Sequence, residues 1–449
     1  MYRLLIIRFL RSKVSVIALL VLLGAGFAAI GIGKKYYNRQ LASEQETTRH
    51  QKEHIERLVQ YENREFGLLM YYLKFAYINP TQRLSALSIG QRDINSSIQS
   101  LTIRTLEAQK YDNGNSNAYT LMSGNFDLSF VVVYLFPLVI IGLCFRLYSE
   151  EKETGTWTLV TSQSKSAGKY LLLKLSVPYI FTLAVFLLLA VSALIILKLK
   201  PGMPVLAYCT CSILYLSFWF ALCLLAASFK RNSSINALAL AGAWLLFTIL
   251  LPAAINNYIT RKYAAPEAFS AMLKQRDGYH NKWDIPQDST MKLFFAAYPE
   301  YQNMSWTHDG FNWLWYYAMQ HLGDVAAATD REIFYKKLEQ REALSNRLSM
   351  LLPSAYTQLY HNRLAQSNLG NHLQFLDSTT AFHERLRKYF YPKIFTAAAV
   401  KEEDWTKFTP VYCSIKNPAR FAESLYPGMF VLLIGLVAFY RIKKININK

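Results

Sequence analysis

The residues best suited to chemistry by type and spacing are two histidines and a glutamate early in the chain. His50, Glu53 and His54 follow the H-x-x-E-H order, in which two histidines bind Zn²⁺ and the glutamate acts as a base. On a helix the two histidines would share one face. The stretch is polar and rich in charge, and no third ligand can be assigned. Because so short a match often arises by chance, we interpret it as a solvated helix.

Other catalytic patterns are excluded or weak. The chain has no G-x-x-x-x-G-K-[ST] motif, so it does not hydrolyse ATP by that route. Four of the five cysteines fall in apolar stretches, and Cys413 alone lies outside them, which excludes a disulfide within that part of the chain. The four are interpreted as small buried apolar residues. We therefore expect no catalytic residue, no cofactor and no metal in this chain.

A charged segment at residues 146–170 is the remaining candidate site. Three glutamates precede Gly155, a residue type that can end a helical turn in a left-handed conformation. A short apolar helix at 157–160 follows. Charged residues on a short helix suit a groove on a soluble partner, where charge pairs set the register. From the physics alone, a solvated loop explains the segment equally well.

The elements that must position these residues are six apolar stretches without a charge near the middle of any of them. A spanning helix needs about 20 apolar residues. Carriers driven by protons or ions usually keep a titratable residue inside a span, so a secondary transporter is disfavoured. The stretches are Val14–Ile32, Leu128–Phe145, Leu175–Leu197, Val205–Ala227, Ile235–Ala254 and Gly428–Tyr440.

The charge distribution predicts the orientation in the membrane. The formal net charge is +19, and most of it flanks the apolar stretches, before the first, before the third, between the fourth and fifth, and after the sixth. The positive-inside rule then places both termini in the cytoplasm, and Lys198 and Lys200 count weakly against this. The basic residues are split among short loops, so we expect no nucleic-acid partner. The first stretch is predicted to be an uncleaved anchor, preceded by a helix lying along the inner lipid surface.

The predicted fold is an all-α polytopic membrane protein with six transmembrane helices and two mainly helical extracytoplasmic blocks. Apolar residues at helical spacing predict helices at 51–75, 84–110, 265–278, 325–351 and 373–391. The predicted divisions are 1–33 (interfacial helix and first span), 34–125 (first block), 126–256 (spans two to five, with 146–170 in the cytoplasm), 257–426 (large second block) and 427–449 (sixth span and basic tail).

Two smaller features of the blocks are a predicted turn and a cluster of aromatic residues. Residues 112–117 read as a turn before the chain re-enters lipid. An aromatic cluster in the second block could line a site for an apolar substrate, but aromatic clusters more often form a core or pack at the membrane surface. Its members are Phe294, Phe295, Tyr298, Tyr301, Trp306, Phe311, Trp313, Trp315, Tyr316 and Tyr317.

The segments that carry a family resemblance are Phe126-Asp127-Leu128, residues 134–138, 149–156 and 161–163, and, in the second block, 283–286, Phe294-Phe295, 298–301 and 352–355. In these segments the chain resembles the permease subunits of type-2 ABC exporters, in the branch often labelled multicopper-enzyme maturation permeases, which has a large outer domain between spans five and six. Trp157 departs from the smaller aliphatic residue that is usual there.

The resemblance implies a transport subunit of the bacterial inner membrane, powered from outside the chain. Two six-span permeases would pair, as identical or different chains, and bind two cytoplasmic ATPases that hold ATP and Mg²⁺. The segment after span two would be the coupling helix in a groove of the ATPase. The copper in the label does not identify a substrate, since the chain has no Met-rich or Cys/His tract. The contact residues carried over are Glu150, Glu151, Glu153, Gly155 and Thr156.

Two readings of the function remain open. The first is the ATP-driven export permease. The second is a membrane-anchored sensor or scaffold whose outer domain binds a peptide, a lipid or a protein partner. Six charge-free spans exceed what a tethered receptor needs, which favours transport. A membrane metalloprotease would rest on His50, Glu53 and His54 alone.

Overall fold

The computed structural model describes residues 2–110, 125–163, 166–304, 310–415 and 419–447. The chain is a mainly helical, multi-pass membrane protein with six helices long and apolar enough to cross a membrane, as predicted. The predicted turn at 112–117 and Trp306 lie outside the described residues. The six spans fall within Lys13–Tyr61, Leu128–Glu153, Gly168–Ile196, Met203–Ser228, Ser233–His280 and Phe421–Lys443.

The elements follow the chain in this order. The first half contains α1 (Tyr2–Arg11), α2 (Lys13–Tyr61), α3 (Phe66–Tyr72), β1 (Phe75–Ile78), β2 (Ile98–Leu101), α4 (Glu107–Lys110), α5 (Leu128–Phe130), α6 (Phe136–Cys144), α7 (Ser149–Glu153), α8 (Trp157–Gln163), α9 (Ala167–Ile196) and α10 (Met203–Ser228). The second half contains α11 (Ser233–Leu245), α12 (Leu251–Lys262), α13 (Glu267–His280), α14 (Gln287–Ala297), α15 (Trp313–Ser349), α16 (Pro353–Leu364), α17 (Leu369–Phe395), β3 (Val411–Tyr412) and α18 (Pro427–Ile447).

Spans 2 and 5 each contain one turn of π-helix, Val131–Leu135 and Leu246–Leu250. A proline follows each turn at the second position of the next helix, where it removes a backbone donor and widens the turn. Carbonyls freed in this way are satisfied by hydroxyl groups from other elements. Tyr215 donates to the carbonyl of Val133 at 2.8 Å, and Ser354 donates to that of Phe247 at 2.5 Å.

Spans 2 and 4 form the centre of the bundle, and the other spans surround them. The apolar windows of spans 2 and 4 are the most buried of the six, whereas those of spans 5 and 6 are mostly exposed. Large side chains of α10, including Tyr215, Phe218 and Trp219, are almost fully buried. Exposed leucines such as Leu238 and Leu432 cover the outer faces, as expected for helices that contact lipid.

Helix α1, the end of α18 and the charged segment lie at one end of the bundle, here called the terminal end. Arg8 of α1 contacts α7, and Arg441 of α18 donates to Ser228 at 3.2 Å, next to the turn between spans 4 and 5. The opposite end carries the long polar parts of the chain. There, Arg83 donates to the carbonyl of Lys198 in the turn between spans 3 and 4.

The two long polar parts fold together into one body, here called the head, which comprises residues 34–110 and 263–426 where they are described. β1 pairs antiparallel with β2 and parallel with β3, so one sheet contains strands from both parts. One apolar core also draws on both, with Phe75 and Leu101 from the first and Phe375 from the second. The chain divisions predicted as separate blocks therefore correspond to a single packed unit.

One predicted helix is wrong. Residues 84–110 form a 3₁₀ turn, Arg83–Ala86, then irregular chain, strand β2 and the short helix α4. Gly90 has a φ of +56°, which an α-helix does not allow. The apolar spacing of this stretch fits a helix by periodicity, but pairing with β1 determines the structure instead, with Ile98 opposite Ile78. The helix predicted at 51–75 is interrupted: α2 ends at Tyr61, residues 62–65 are irregular, α3 covers Phe66–Tyr72, and β1 begins at Phe75.

The helices predicted at 265–278, 325–351 and 373–391 are confirmed as α13, α15 and α17. Much of the aromatic cluster is core of the head, in agreement with the interpretation that such clusters usually pack internally. Phe294 and Tyr317 are fully buried, whereas Phe311 is 56% exposed. Ring contacts such as Phe294 to Tyr391, 6.2 Å between centroids, connect α14 with α17.

Candidate functional site

The charged segment leaves span 2 at Cys144 and makes two short helices, α7 and α8, joined at Gly155. Gly155 has a φ of +74°, and its amide donates to the carbonyl of Lys152 at 3.2 Å. The predicted left-handed turn is therefore confirmed. The position that a Cβ would take at Gly155 has no atom within 4 Å, so the backbone conformation alone accounts for the glycine.

Glu151 is the buried centre of this segment, with 4% of its surface exposed. Its carboxylate accepts hydrogen bonds from Tyr170 at 2.9 Å, Lys174 at 2.9 Å and Thr156 at 2.5 Å. Arg8 also donates to it, at 3.3 Å. Two of these four donors, Arg8 and Lys174, are cations. Their hydrogen bonds and charges offset the cost of removing the carboxylate from water. Glu151 thus connects its own turn to α1 and to span 3.

Glu150 shares the same two cations and is more exposed than Glu151. Arg8 donates to Glu150 at 2.5 Å, and Lys174 donates at 2.8 Å. Two carboxylates and two cations therefore form one ionic cluster. The cluster joins α1, α7 and α9 at the terminal end of the bundle.

Glu153 ties the segment to span 5. Its two carboxylate oxygens accept from the backbone amide of Ser233 at 2.7 Å and from the Ser233 hydroxyl at 2.8 Å. Ser149 also shares a hydrogen bond with Ser233, at 2.7 Å. The first turn of α11 is thus fixed against α7.

The predicted contact residues therefore divide into two groups. Glu150, Glu151 and Glu153 are brought together by the fold, but their carboxylates bind other parts of this chain. Gly155 and Thr156 are exposed, on the turn that projects beyond the cluster. Contact of all five with an ATPase stays a prediction, and the described contacts assign the glutamates an internal, positioning role.

The second helix of the segment presents an apolar residue to solvent. Trp157 packs on Tyr148, with 4.6 Å between ring centroids and a T-shaped arrangement, which anchors α8 to the end of span 2. Leu159 points away and is 59% exposed. The neighbouring Thr156 and Thr158 are exposed as well. Trp157, the departure noted in the sequence, has an anchoring role.

Several residues of this site were not predicted from the sequence. Arg8 and Lys174 were counted only for topology, and Tyr170 and Ser233 were not assigned a role. The only signal in the sequence for such partners was the presence of three glutamates on one short helix. Carboxylates that lie so close together need hydrogen-bond donors or cations beside them. Their partners are 19 to 143 positions away along the chain, so spacing could not identify them.

The early histidines lie on the exposed part of α2 beyond the bundle. His50 approaches Glu46 at 3.3 Å, and His54 approaches the carbonyl of Tyr72 at 3.3 Å. Over the residues that the structure describes, no group of three or more His, Cys, Asp or Glu side chains could hold a metal ion. The five cysteines are all unpaired thiols.

Comparison with known proteins gives one finding. A family model described as "Domain of unknown function (DUF3526)" matches residues 268–412, which lie in the head. The match covers less than half of the chain and excludes the terminal end. No curated protein and no solved structure matches the chain.

Proposed function

We propose that this chain is the transmembrane permease subunit of an ATP-driven ABC exporter of a bacterial cytoplasmic membrane. In this proposal it moves a substrate outward by using a separate cytoplasmic ATPase, and it carries no ATPase site of its own. Both termini and the α7–α8 segment face the cytoplasm. A second permease, identical or related, completes the transporter, and ATP and Mg²⁺ bind to the ATPase pair.

The observation that supports this most strongly is the way the α7–α8 segment is held. Its tip presents Leu159 to solvent, while its base is fixed to span 3 through Lys174 and to span 5 through Ser233. A displacement of α8 would therefore be transmitted to spans 3 and 5, since these contacts hold the segment to them. This is the mechanical property that a coupling element needs.

The first experiment is affinity purification of the full chain from its native membranes, with mass spectrometry of its partners. We expect a P-loop ATPase to co-purify and the complex to hydrolyse ATP. Leu159→Asp should reduce the co-purified ATPase about tenfold, as expected when a central apolar contact worth about 1.4 kcal/mol is replaced by a charge. The measurement is the ratio of ATPase to permease by quantitative mass spectrometry.

A matched control is Leu351→Asp, since Leu351 is 67% exposed and lies in the head. It should leave the ratio unchanged, because the head is on the other side of the membrane in this proposal. An unchanged ratio in Leu159→Asp, or an equal loss in both variants, would count against α8 as the ATPase contact.

A cavity in the head favours the second candidate function, a sensor or scaffold. The cavity has a volume of about 620 Å³ between α2 and the segment 405–410, and its apolar lining includes Ile55, Trp405 and Phe408. This volume is within the usual range for sites that hold small molecules or peptide side chains. If no ATPase co-purifies and a ligand is found in this cavity, the sensor proposal replaces the permease proposal.

A further inference from the structure

A second cavity lies at the terminal end, between α1 and the ends of spans 2 and 3. Its volume is about 320 Å³. The amphipathic helix α1 forms one side and turns into span 1 at Ser12, whose hydroxyl accepts from the amide of Ser15. The other sides are the last turn of span 2 and the first half of α9. The cavity therefore lies at the depth where span 2 leaves the lipid.

The charges that line this cavity are mainly positive. Arg8, Arg146 and Lys174 line it, together with one carboxylate, Glu150. Arg8 and Lys174 are paired with Glu150 and with the adjacent Glu151. Arg146 is exposed, lies over the Phe145 ring at 5.5 Å and interacts electrostatically with Glu153, but it forms no ion pair within 4 Å with any residue that the structure describes. The cavity therefore has a guanidinium available for an anion, and it could form bidentate hydrogen bonds to a phosphate.

Apart from Ser12 and Ser15, the rest of the lining is apolar. Phe9, Leu143, Val177 and Pro178 form walls without polar groups. Val14, at the start of span 1, also lines the cavity and is 76% exposed on the outside of the bundle. A ligand that fills this space must carry an anionic group at one end and hydrocarbon at the other.

We propose that this cavity binds one anionic phospholipid, with its phosphate at Arg146 and its acyl chains passing Val14 into the bilayer. A free phosphate would meet the same guanidinium but would leave the apolar walls unfilled, so the lipid is favoured. The inference goes beyond the proposed function, since it requires only that the chain lies in a membrane. The lipid would contact α1 and the end of span 2, beside the ionic cluster of Glu150 and Glu151.

Gly142 offers a way to fill the cavity without removing a charge. It lines the cavity, and no atom lies within 4 Å of the position that a Cβ would take there. Gly142→Leu should therefore fold normally and occupy the space of the acyl chain. Gly242, in span 5, has equally open surroundings but lies away from the cavity. Gly242→Leu is the matched control.

The experiment titrates the purified full chain, in delipidated detergent micelles, with short-chain phosphatidylglycerol and follows the thermal midpoint. Parallel titrations use phosphatidylcholine of the same chain length and inorganic phosphate. We expect phosphatidylglycerol alone to raise the midpoint. Arg146→Gln and Gly142→Leu should each weaken the apparent affinity about tenfold, the effect of losing roughly 1.4 kcal/mol of contact. Gly242→Leu should bind as the unmodified chain does.

Each other outcome rejects the proposal. Equal stabilisation by phosphatidylcholine would mean a general lipid effect, and equal stabilisation by inorganic phosphate would make the ligand a free anion. Unchanged affinity in both Arg146→Gln and Gly142→Leu would place the lipid elsewhere. Co-purification of the ATPase is scored separately, so failure here leaves the proposed function standing, and loss of the ATPase leaves the lipid site standing.

Discussion

Glu151 receives hydrogen bonds from Arg8, Thr156, Tyr170 and Lys174, so groups from two other helices and from its own turn converge on one buried carboxylate. Substitution of such a residue is strongly destabilising, because it leaves buried donors and cations without an acceptor. Glu150 is paired with the same two cations, but 30% of its side chain is exposed. If Glu150 is removed, water can therefore solvate Arg8 and Lys174 in place of its carboxylate.

We expect Glu151→Ala to destabilise the α7–α8 segment by about 3 kcal/mol, the loss typical of breaking a buried ion pair from one side. Glu150→Ala, the matched control, should cost about 1 kcal/mol or less because solvent screens that pair. Hydrogen exchange of the amides at 149–163 in the purified chain measures the difference. Similar protection in the two variants would contradict a special role for the buried carboxylate.

The residue scale also shows what the sequence could and could not predict. The turn at Gly155 was predictable because glycine after a charged helical turn has few alternatives. The inward direction of Glu151 was not, since a glutamate in a short polar helix usually faces water. Only the convergence of Arg8 and Lys174, from distant parts of the chain, makes its burial favourable.

At the scale of elements, the spans were predictable and the strands were not. Each span carries its signal in its own residues, because about 20 apolar side chains in a row suit hydrocarbon whatever surrounds them. Strands β2 and β3 have four and two residues and depend on pairing with β1. The ladder between β1 and β3 joins residues more than 300 positions apart, which no local pattern reveals.

The helices of the head contain histidines whose neutral form is favoured: His383 is buried, and His321 and His372 are half-buried. Burial lowers the pKa of His321 to about 3 and that of His372 to about 4, in each case with help from a nearby arginine. Burial likewise lowers the pKa of His383 well below its ordinary value. In the unfolded chain these rings titrate near their ordinary value of about 6.5.

We expect the stability of the head to fall as the pH is lowered from about 6.5 towards 4. In that window the unfolded chain binds protons that the folded head excludes, so the free energy of unfolding decreases by up to about 1.4 kcal/mol per pH unit for each such histidine. His372→Gln should reduce this slope. The measurement is the apparent thermal midpoint between pH 7.5 and 4.5.

The control for the pH experiment is His50→Gln, because the side chain of His50 is 61% exposed on α2. It removes an exposed ring in place of a half-buried one, so a change of slope seen only in His372→Gln is due to burial. If His372→Gln leaves the slope unchanged, the acid sensitivity arises from other groups, and these histidines do not control it.

At the scale of the whole molecule, the head is joined to the bundle by buried polar contacts as well as by chain connections. His361 of α16 stacks on Tyr208 of span 4 at 4.0 Å between ring centroids and lies 3.2 Å from the Ser212 hydroxyl. Ser354, in the first turn of α16, donates to the carbonyl of Phe247 in span 5. A movement of span 4 or span 5 would therefore move α16, so head and bundle are coupled in either candidate function.

The orientation of the whole molecule decides whether the terminal end can meet a cytoplasmic ATPase. We expect Ser162→Cys, at the terminal end, and Lys401→Cys, in the head, to be labelled from opposite sides of the membrane. Both positions are exposed, and the five native cysteines are first replaced to give a silent background. In spheroplasts, whose cytoplasmic membrane is intact, a membrane-impermeant maleimide should label Lys401→Cys at once. It should label Ser162→Cys only after lysis.

This orientation is expected because the terminal end is basic. Arg3, Arg11, Lys13 and Lys230 flank the spans there and resist transfer across the membrane. Labelling of Ser162→Cys in intact cells would place α8 away from ATP, and the permease proposal would then fail. The lipid site at Arg146 would survive that result on the other leaflet. Labelling of both positions from the same side would contradict the six-span fold itself, because the head and the terminal end lie at opposite ends of the bundle.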